Sequence, residues 1–138
     1  MNSKAIVDFD LFRINDVSLC NSYDLGGKNS GVIKCTSGGW YVCVENKIVE
    51  SIFICLRNGY QGYSRFNGIF VKDGCEIKLS TKSTPEEIDL IFGEPVEFFE
   101  DEVSINRRYK LREFFVEFDW GTQGAIPDLR YLSIDNKL

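Results

Sequence analysis

Apolar and polar residues alternate over most of the chain, and this period of two predicts a protein built mainly from β-strands. Two apolar runs separated by Glu45-Asn46-Lys47 have the pattern of a β-hairpin. The predicted strands cover residues 6–14, 17–19, 32–35, 40–44, 48–56, 70–72, 75–79, 109–118 and 129–134.

Residues that favour turns separate these predicted strands. Asp73-Gly74 is a dipeptide preferred in type I′ hairpin turns, and Asn15-Asp16 ends the first strand pattern. Polar, glycine-containing stretches predict loops or turns at residues 21–31, 37–39, 57–65 and 121–124.

One segment has the signals of an α-helix. Thr84 is a candidate N-cap, Pro85 suits the first helical position, and Glu87 completes a capping box. Gly93 is a suitable C-terminal residue, and Pro95 prevents the helix from resuming. The apolar face consists of Ile88, Ile91 and Phe92, and the helix is about two turns long, so it needs tertiary packing.

These elements predict one α+β domain over residues 1–138. We expect two layers: a mostly antiparallel sheet with one or two short helices packed on one face. A weak internal similarity suggests two β-rich half-repeats, although chance similarity between short hairpins explains it equally well. Residues 12–19 resemble 70–77, and residues 41–44 and 49–54 resemble 115–118 and 129–134.

Charge is distributed unevenly along this acidic chain, whose formal net charge is −5. The stretch 83–106 contains eight acids and no lysine or arginine, so the rest of the chain has a net charge of +3. Such a surface repels nucleic-acid backbones and attracts basic partners, although many charge runs are simply solvated. The acids of this stretch are Glu86, Glu87, Asp89, Glu94, Glu97, Glu100, Asp101 and Glu102.

The first candidate binding site lies where acids surround two adjacent phenylalanines. Neighbouring side chains on a strand point to opposite faces, so we expect one ring in the core and the other available to a partner. An apolar contact with a charged rim has the composition of a protein interface. The residues are Glu94, Glu97, Phe98, Phe99, Glu100, Asp101 and Glu102.

The second candidate site is the predicted loop at residues 57–65. Its candidate residues are Arg57, Tyr60, Tyr63 and Arg65. Tyrosine and arginine are frequent in protein-binding hot spots, and they also stack on single-stranded nucleic acid. The overall acidity argues against nucleic acid. In the alternative interpretation, the tyrosines fold back onto the sheet.

Several kinds of chemistry are disfavoured by the residues present. The chain has no histidine, which excludes Ser-His and Cys-His pairs and histidine zinc sites. The five cysteines form no close-spaced pairs, so we expect reduced, buried thiols and no metal. The run Glu100-Asp101-Glu102 lacks the turn glycine of a calcium loop. We expect no catalytic residue and no cofactor.

No apolar run is long enough for a signal peptide or a membrane span, and no lipidation motif appears at either end of the sequence. We therefore expect a cytoplasmic protein that does not bind a membrane.

Several features spread over most of the chain occur in a recognisable order. They are Tyr23-Asp24-Leu25-Gly26, the hairpin 41–56, the stretch 66–71, Thr84-Pro85-Glu86-Glu87, Phe92-Gly93-Glu94-Pro95 and the strand region 109–119. In these features the chain resembles small bacterial immunity proteins, the antidotes encoded beside contact-dependent or type VI-delivered polymorphic toxins. The resemblance implies a domain that neutralises a cognate toxin by covering its active site or binding surface, with no catalytic residues. The acidic charge separately suggests a basic toxin.

A predicted strand is followed by a Thr-Pro-Glu-Glu helix that ends in Gly-x-Pro, and then by further strands. This order is also similar to that in the repeats of β-lactamase-inhibitor-like and SmpA-like lipoprotein domains, which bind proteins.

Other hypotheses about the function remain open. They are a phage or accessory regulatory domain that binds another protein, a small histidine-free enzyme using carboxylates or a lysine, and an RNA-binding module using Tyr60 and Tyr63. A deep polar cleft with convergent carboxylates would favour the enzyme, whereas an exposed phenylalanine ringed by acids would favour protein binding.

Overall fold

The computed structural model describes residues 4–137, so the predicted domain limits at residues 1 and 138 lie outside the described residues. Within this part of the chain are twelve strands, one α-helix and a short 3-10 turn at Tyr60–Gly62. The elements are β1 (Ile6–Asp8), β2 (Arg13–Ile14), β3 (Val17–Ser18), β4 (Gly31–Cys35), β5 (Trp40–Glu45), β6 (Ile48–Cys55), β7 (Ile69–Lys72), β8 (Cys75–Ile77), α1 (Pro85–Phe92), β9 (Glu97–Glu100), β10 (Ser104–Leu111), β11 (Phe114–Gly121) and β12 (Asp128–Asp135).

The strands form two sheets. The larger sheet has seven strands in the order β4-β5-β6-β12-β11-β10-β9, all antiparallel to their neighbours. The smaller sheet has the order β3-β2-β1-β7-β8, in which only β1 and β7 run parallel. The predicted fold class, a mostly antiparallel two-layer α+β domain, is confirmed, with one short helix.

One hydrophobic core joins the larger sheet to the smaller sheet and α1. Phe92 of α1 lies 5.1 Å from both Phe9 and Phe118, measured between ring centroids. The Trp120 indole N–H donates to the Ser83 carbonyl over 2.7 Å, which fixes the segment before α1 to β11. The fully buried residues at the centre include Val7, Ile14, Ile52, Ile54, Ile88, Val116, Leu132 and Ile134.

The helix begins and ends where the sequence predicts. Thr84 Oγ1 accepts a hydrogen bond from the Glu87 backbone N–H over 3.2 Å, and Pro85 occupies the first turn. The Glu87 carboxylate accepts from the Thr84 hydroxyl, also at 3.2 Å. Gly93 ends the helix at φ 90°, a conformation that favours glycine. Ile88 and Phe92 are buried, which gives the short helix the tertiary packing it needs.

The prediction of a single strand over 109–118 is wrong, because this segment contains the hairpin between β10 and β11. The turn lies at Arg112-Glu113 and has none of the usual turn residues. Arg112 takes a left-handed conformation at φ 56°. Its guanidinium lies 4.8 Å from the Phe12 ring centre and donates to the Asp10 carbonyl, so tertiary contacts hold the turn.

The internal similarity has a structural counterpart. In the larger sheet the meander β4-β5-β6 and the meander β10-β11-β12 have the same pairing pattern, with a register shift after Cys43 in one and after Asp119 in the other. Phe53 and Ser133, which are equivalent positions, lie opposite each other where β6 meets β12. The sequence comparison, which matches residues 41–44 with 115–118, is displaced by two residues. It makes Tyr41 equivalent to Phe115, whereas the strand pairing makes Tyr41 equivalent to Glu117.

The prediction that the cysteines are buried holds for Cys55 alone. Cys20 and Cys75 are exposed, and Cys35 and Cys43 are partly buried. The reason is their position: Cys20 lies in a turn at φ 66°, and Cys75 lies on β8 at the edge of the smaller sheet. All five thiols are free.

Candidate protein-binding site

The acidic segment, defined here as residues 94–102, contains the outermost strand of the larger sheet. Its strand, β9, pairs with β10 on one side, and none of the described strands lies on its other side. Every residue from Val96 to Val103 is exposed. The sheet therefore presents a continuous exposed edge there.

Phe98 and Phe99 are both exposed, with 78% and 57% of their surfaces accessible to solvent. The expectation that one of them belongs to the core is wrong. Phe98 lies opposite Arg107 of β10, whose guanidinium forms a 2.5 Å ion pair with Asp89 of α1. The core thus already ends at β10 in a polar contact, and β9 lies beyond it.

Exposed apolar surface is concentrated around these two rings. Four of the ten exposed large hydrophobic side chains lie between residues 96 and 103, namely Val96, Phe98, Phe99 and Val103. Sequence reasoning did not include Val96 and Val103 in the candidate site. Their signal was weak, because single exposed valines are common on protein surfaces. The four side chains line this edge of the sheet as an apolar patch, with Phe98 on one face of the sheet and Phe99 on the other.

The acids around this patch differ in their roles. Within residues 4–137, Glu94, Glu97, Glu100 and Glu102 take part in no ion pair. Asp101 instead forms a turn, because its Oδ1 accepts from the N–H groups of Val103 and Ser104. These backbone hydrogen bonds lower the pKa of Asp101.

Glu97 faces an arginine across the sheet but is not neutralised by it. Arg108, directly opposite on β10, forms an ion pair with Asp135 at 2.5 Å and a longer one with Glu117 at 3.4 Å. Its guanidinium also lies 4.7 Å from the Phe115 ring centre, and the residue is buried. Arg108 therefore stabilises the sheet, and the negative charge of Glu97 remains available.

The backbone of β9 also has unpaired groups at the free edge. The Asp101 N–H donates to the Ser104 carbonyl over 3.0 Å, which makes this a hydrogen-bonded pair. Such pairs alternate with non-bonded pairs along an antiparallel ladder, so Glu97 and Phe99 direct their backbone groups toward β10. The N–H and C=O groups of Phe98 and Glu100 consequently point away from the sheet.

The loop at residues 57–65 has a different character. Tyr63 is buried against Tyr41 and Phe53 and contributes to a small second core on the outer face of the larger sheet, so it is not available to a partner. Tyr60 is partly buried and stacks on Tyr131 with ring centroids 5.7 Å apart. This arrangement matches the alternative in which the tyrosines fold onto the sheet.

The two arginines of the loop are exposed. Arg57 forms an ion pair with Asp128 at 3.6 Å, and Arg65 projects from the end of the loop. The loop covers β6 and β12, and three strand spacings, about 14 Å, separate β12 from β9. The structure therefore does not join the two candidate surfaces into one site.

A depression of about 330 Å³ lies on the outer face beside Tyr60. Its two carboxylates, Glu117 and Asp135, are both paired with Arg108. Burial raises the pKa of Tyr131, which also lines the depression, well above its usual value. Glu117 and Asp135 are thus held by Arg108, and Tyr131 is held by its stacking on Tyr60.

Among residues 4–137, no three or more cysteine, aspartate or glutamate side chains converge in a way that could hold a metal ion. The helix of the described chain is too short and too polar to cross a membrane. Comparison with protein-family models, curated proteins and solved structures finds no significant match to this chain.

Proposed function

We propose that this protein binds a basic toxin domain and neutralises it by covering the surface through which the toxin acts. The observation that carries the proposal is the exposed pair Phe98 and Phe99, bordered by glutamates that form no ion pair with any of residues 4–137. The resemblance to immunity proteins supplies the class of partner, and the site supplies the means of binding it.

The apolar part of the site offers a favourable free energy of association. Complete removal of a phenylalanine ring from water contributes about 1.5–3 kcal/mol, and more than half of the surface of both Phe98 and Phe99 is exposed to solvent and available to a partner. Val96 and Val103 extend the patch. Binding would therefore bury surface that is costly to leave in water.

The charged part of the site favours a basic partner and rapid association. Glu94, Glu97, Glu100 and Glu102 would accept lysine or arginine side chains at the interface rim. Toxins that act on nucleic acid carry basic surfaces, so an acidic antidote would compete directly with their substrate. Speed matters for an antidote, because it must bind before the toxin acts.

The proposal is tested by co-expressing the chain with the product of the adjacent gene in a host that this product arrests. We expect growth to be restored and a stoichiometric complex to be isolated. The double variant Phe98→Ser/Phe99→Ser should lose protection while remaining folded. The matched control is Val32→Ser, which changes an exposed apolar residue on the opposite edge of the larger sheet.

Persistent growth arrest with well-expressed, folded wild-type protein would refute neutralisation of that product. A stoichiometric complex with a non-toxic partner would instead support the hypothesis of a regulatory domain that binds another protein.

A further inference from the structure

We infer that the partner supplies an extended, basic segment that pairs with β9 and adds an eighth strand to the larger sheet. This inference rests on the proposed function and specifies its recognition mode. Strand addition to an open sheet edge is a general way in which proteins bind extended segments.

The orientation of the two phenylalanines favours strand addition over docking on a sheet face. Phe98 shares its face of the sheet with Arg107, whereas Phe99 shares the opposite face with Asn106. A partner resting on either face would cover one ring and leave the other in water. A strand beside β9 has side chains on both faces, so it can contact both rings.

The free backbone groups of β9 provide the second argument. The N–H and C=O groups of Phe98 and Glu100 point away from β10 and are positioned to form a new antiparallel or parallel ladder. The other edge strands are less suitable for the addition of a strand. The outermost strands of the smaller sheet, β3 and β8, have two and three residues, and β4 carries the exposed Lys34, a residue type that discourages edge pairing.

Charge determines which strand can be added. Antiparallel pairing of β9 with a second copy would bring Glu97, Glu100 and Asp101 close to the same residues of the other chain, and like charges across a ladder are destabilising. On β9, Phe98 shares one face with Glu100, and Phe99 shares the other face with Glu97. A segment with two adjacent apolar residues flanked by lysine or arginine would therefore place, on each face, a cation near an acid and an apolar side chain against a ring. The acids thus oppose self-pairing and favour a basic strand.

The test compares Glu100→Pro with Glu100→Ala. Both variants remove the same charge, but only proline removes the outward N–H, and proline is tolerated on an edge strand when that N–H faces solvent. The probe is a short peptide that repeats Lys-Val-Val-Lys, which as a strand presents both lysine and valine on each face. Its acidic counterpart, which repeats Glu-Val-Val-Glu, is the control. Binding is followed by backbone amide NMR and by amide exchange.

We expect the basic peptide to shift and protect the amides of Phe98 and Glu100 in the wild-type protein. Glu100→Pro should weaken binding about tenfold more than Glu100→Ala does, as expected for the loss of a ladder hydrogen bond. The acidic peptide should not bind. Equal effects of the two substitutions, or peptide-induced shifts confined to other strands, would overturn the inference. The amide measurements on the wild-type protein decide the matter even if Glu100→Pro does not fold.

The same measurements separate this inference from the proposed function. A toxin that is neutralised while the Phe98 and Glu100 amides stay unprotected would retain the function and refute strand addition. A basic strand that binds β9 without any toxin being neutralised would support strand addition and refute the proposed function. A dimer of the isolated protein with protected β9 amides would identify a second copy as the occupant and refute the basic segment.

Discussion

The Tyr109 hydroxyl donates a hydrogen bond to Asp89 Oδ1 over 2.5 Å, while Arg107 contacts the other oxygen of the same carboxylate. This contact joins β10 to α1 immediately beside the candidate binding edge. Burial, followed by the hydrogen bond to Asp89 and its charge, raises the pKa of Tyr109 far above its usual value.

The raised pKa of Tyr109 predicts a loss of stability at high pH. An unfolded tyrosine loses its proton near pH 10, whereas the folded protein keeps the proton on Tyr109, so ionisation favours the unfolded state. The free energy of unfolding should fall above about pH 10 by about 1.4 kcal/mol per pH unit for this residue. Chemical denaturation of wild type and Tyr109→Phe checks this; equal pH slopes would contradict it.

The turn between β5 and β6 should be improved by one substitution. Asn46 and Lys47 have φ values of 50° and 64°, a conformation in which lysine is strained and Asn-Gly is preferred. Lys47→Gly should raise the free energy of unfolding by about 0.5–1 kcal/mol. The reciprocal control is Gly74→Lys, at φ 75° in the β7–β8 turn, which should lower it. A destabilised Lys47→Gly variant would refute this account of the turn.

Exposed and buried phenylalanines should respond in opposite ways to truncation. Phe99→Ala should change the free energy of unfolding by no more than about 0.5 kcal/mol, because the ring is exposed. Phe118→Ala should reduce it by about 3–5 kcal/mol, because its fully buried ring packs against Phe92 and Trp120. Urea denaturation provides both values. A large loss for Phe99→Ala would show that β9 supports the fold and argue against a free binding edge.

Charge reversal in the acidic segment should act mainly on the association rate. Glu97→Lys, Glu100→Lys and Glu102→Lys together should slow binding of a basic partner and weaken its dependence on salt. Stopped-flow mixing at several salt concentrations measures both effects. The control reverses Glu76, an exposed acid of the smaller sheet, and should have less effect. An unchanged rate for the triple variant would remove the acidic segment as the interface.

The cysteines should react in an order set by their exposure. Cys20 and Cys75 are exposed and should be labelled rapidly by a thiol reagent under native conditions. Cys55 should react only on unfolding, because it is buried and burial raises the pKa of its thiol. Mass spectrometry after timed labelling checks the order, with single Cys→Ser variants to assign each site. Rapid native labelling of Cys55 would contradict its placement.

Local features of the fold could be predicted from the sequence because neighbouring residues determine them. Thr84, Pro85 and Glu87 specify the start of α1 through short-range hydrogen bonds and a fixed φ. Asp73-Gly74 specifies a turn that both residues adopt at positive φ. Alternation of apolar residues likewise predicted most strands, since one face of each strand must be buried.

Features that depend on distant residues could not be predicted in the same way. The Arg112 turn is held by Phe12 and Asp10, about a hundred positions earlier in the chain, and no local signal marks it. The order of strands in a sheet is set by how separate hairpins meet, and a strand pattern does not state which strand lies at the edge. For this reason the sequence placed one of the two phenylalanines in the core.

The candidate site shows the same division. The sequence by itself determined that acids border Phe98 and Phe99 and that the chain contains no histidine. The tertiary structure decided that β9 is the last strand of its sheet, that both rings face solvent, and that Arg108 is paired with Asp135 rather than with Glu97. The physical reason is that composition sets which interactions are possible, whereas burial and pairing between distant strands decide which of them are formed.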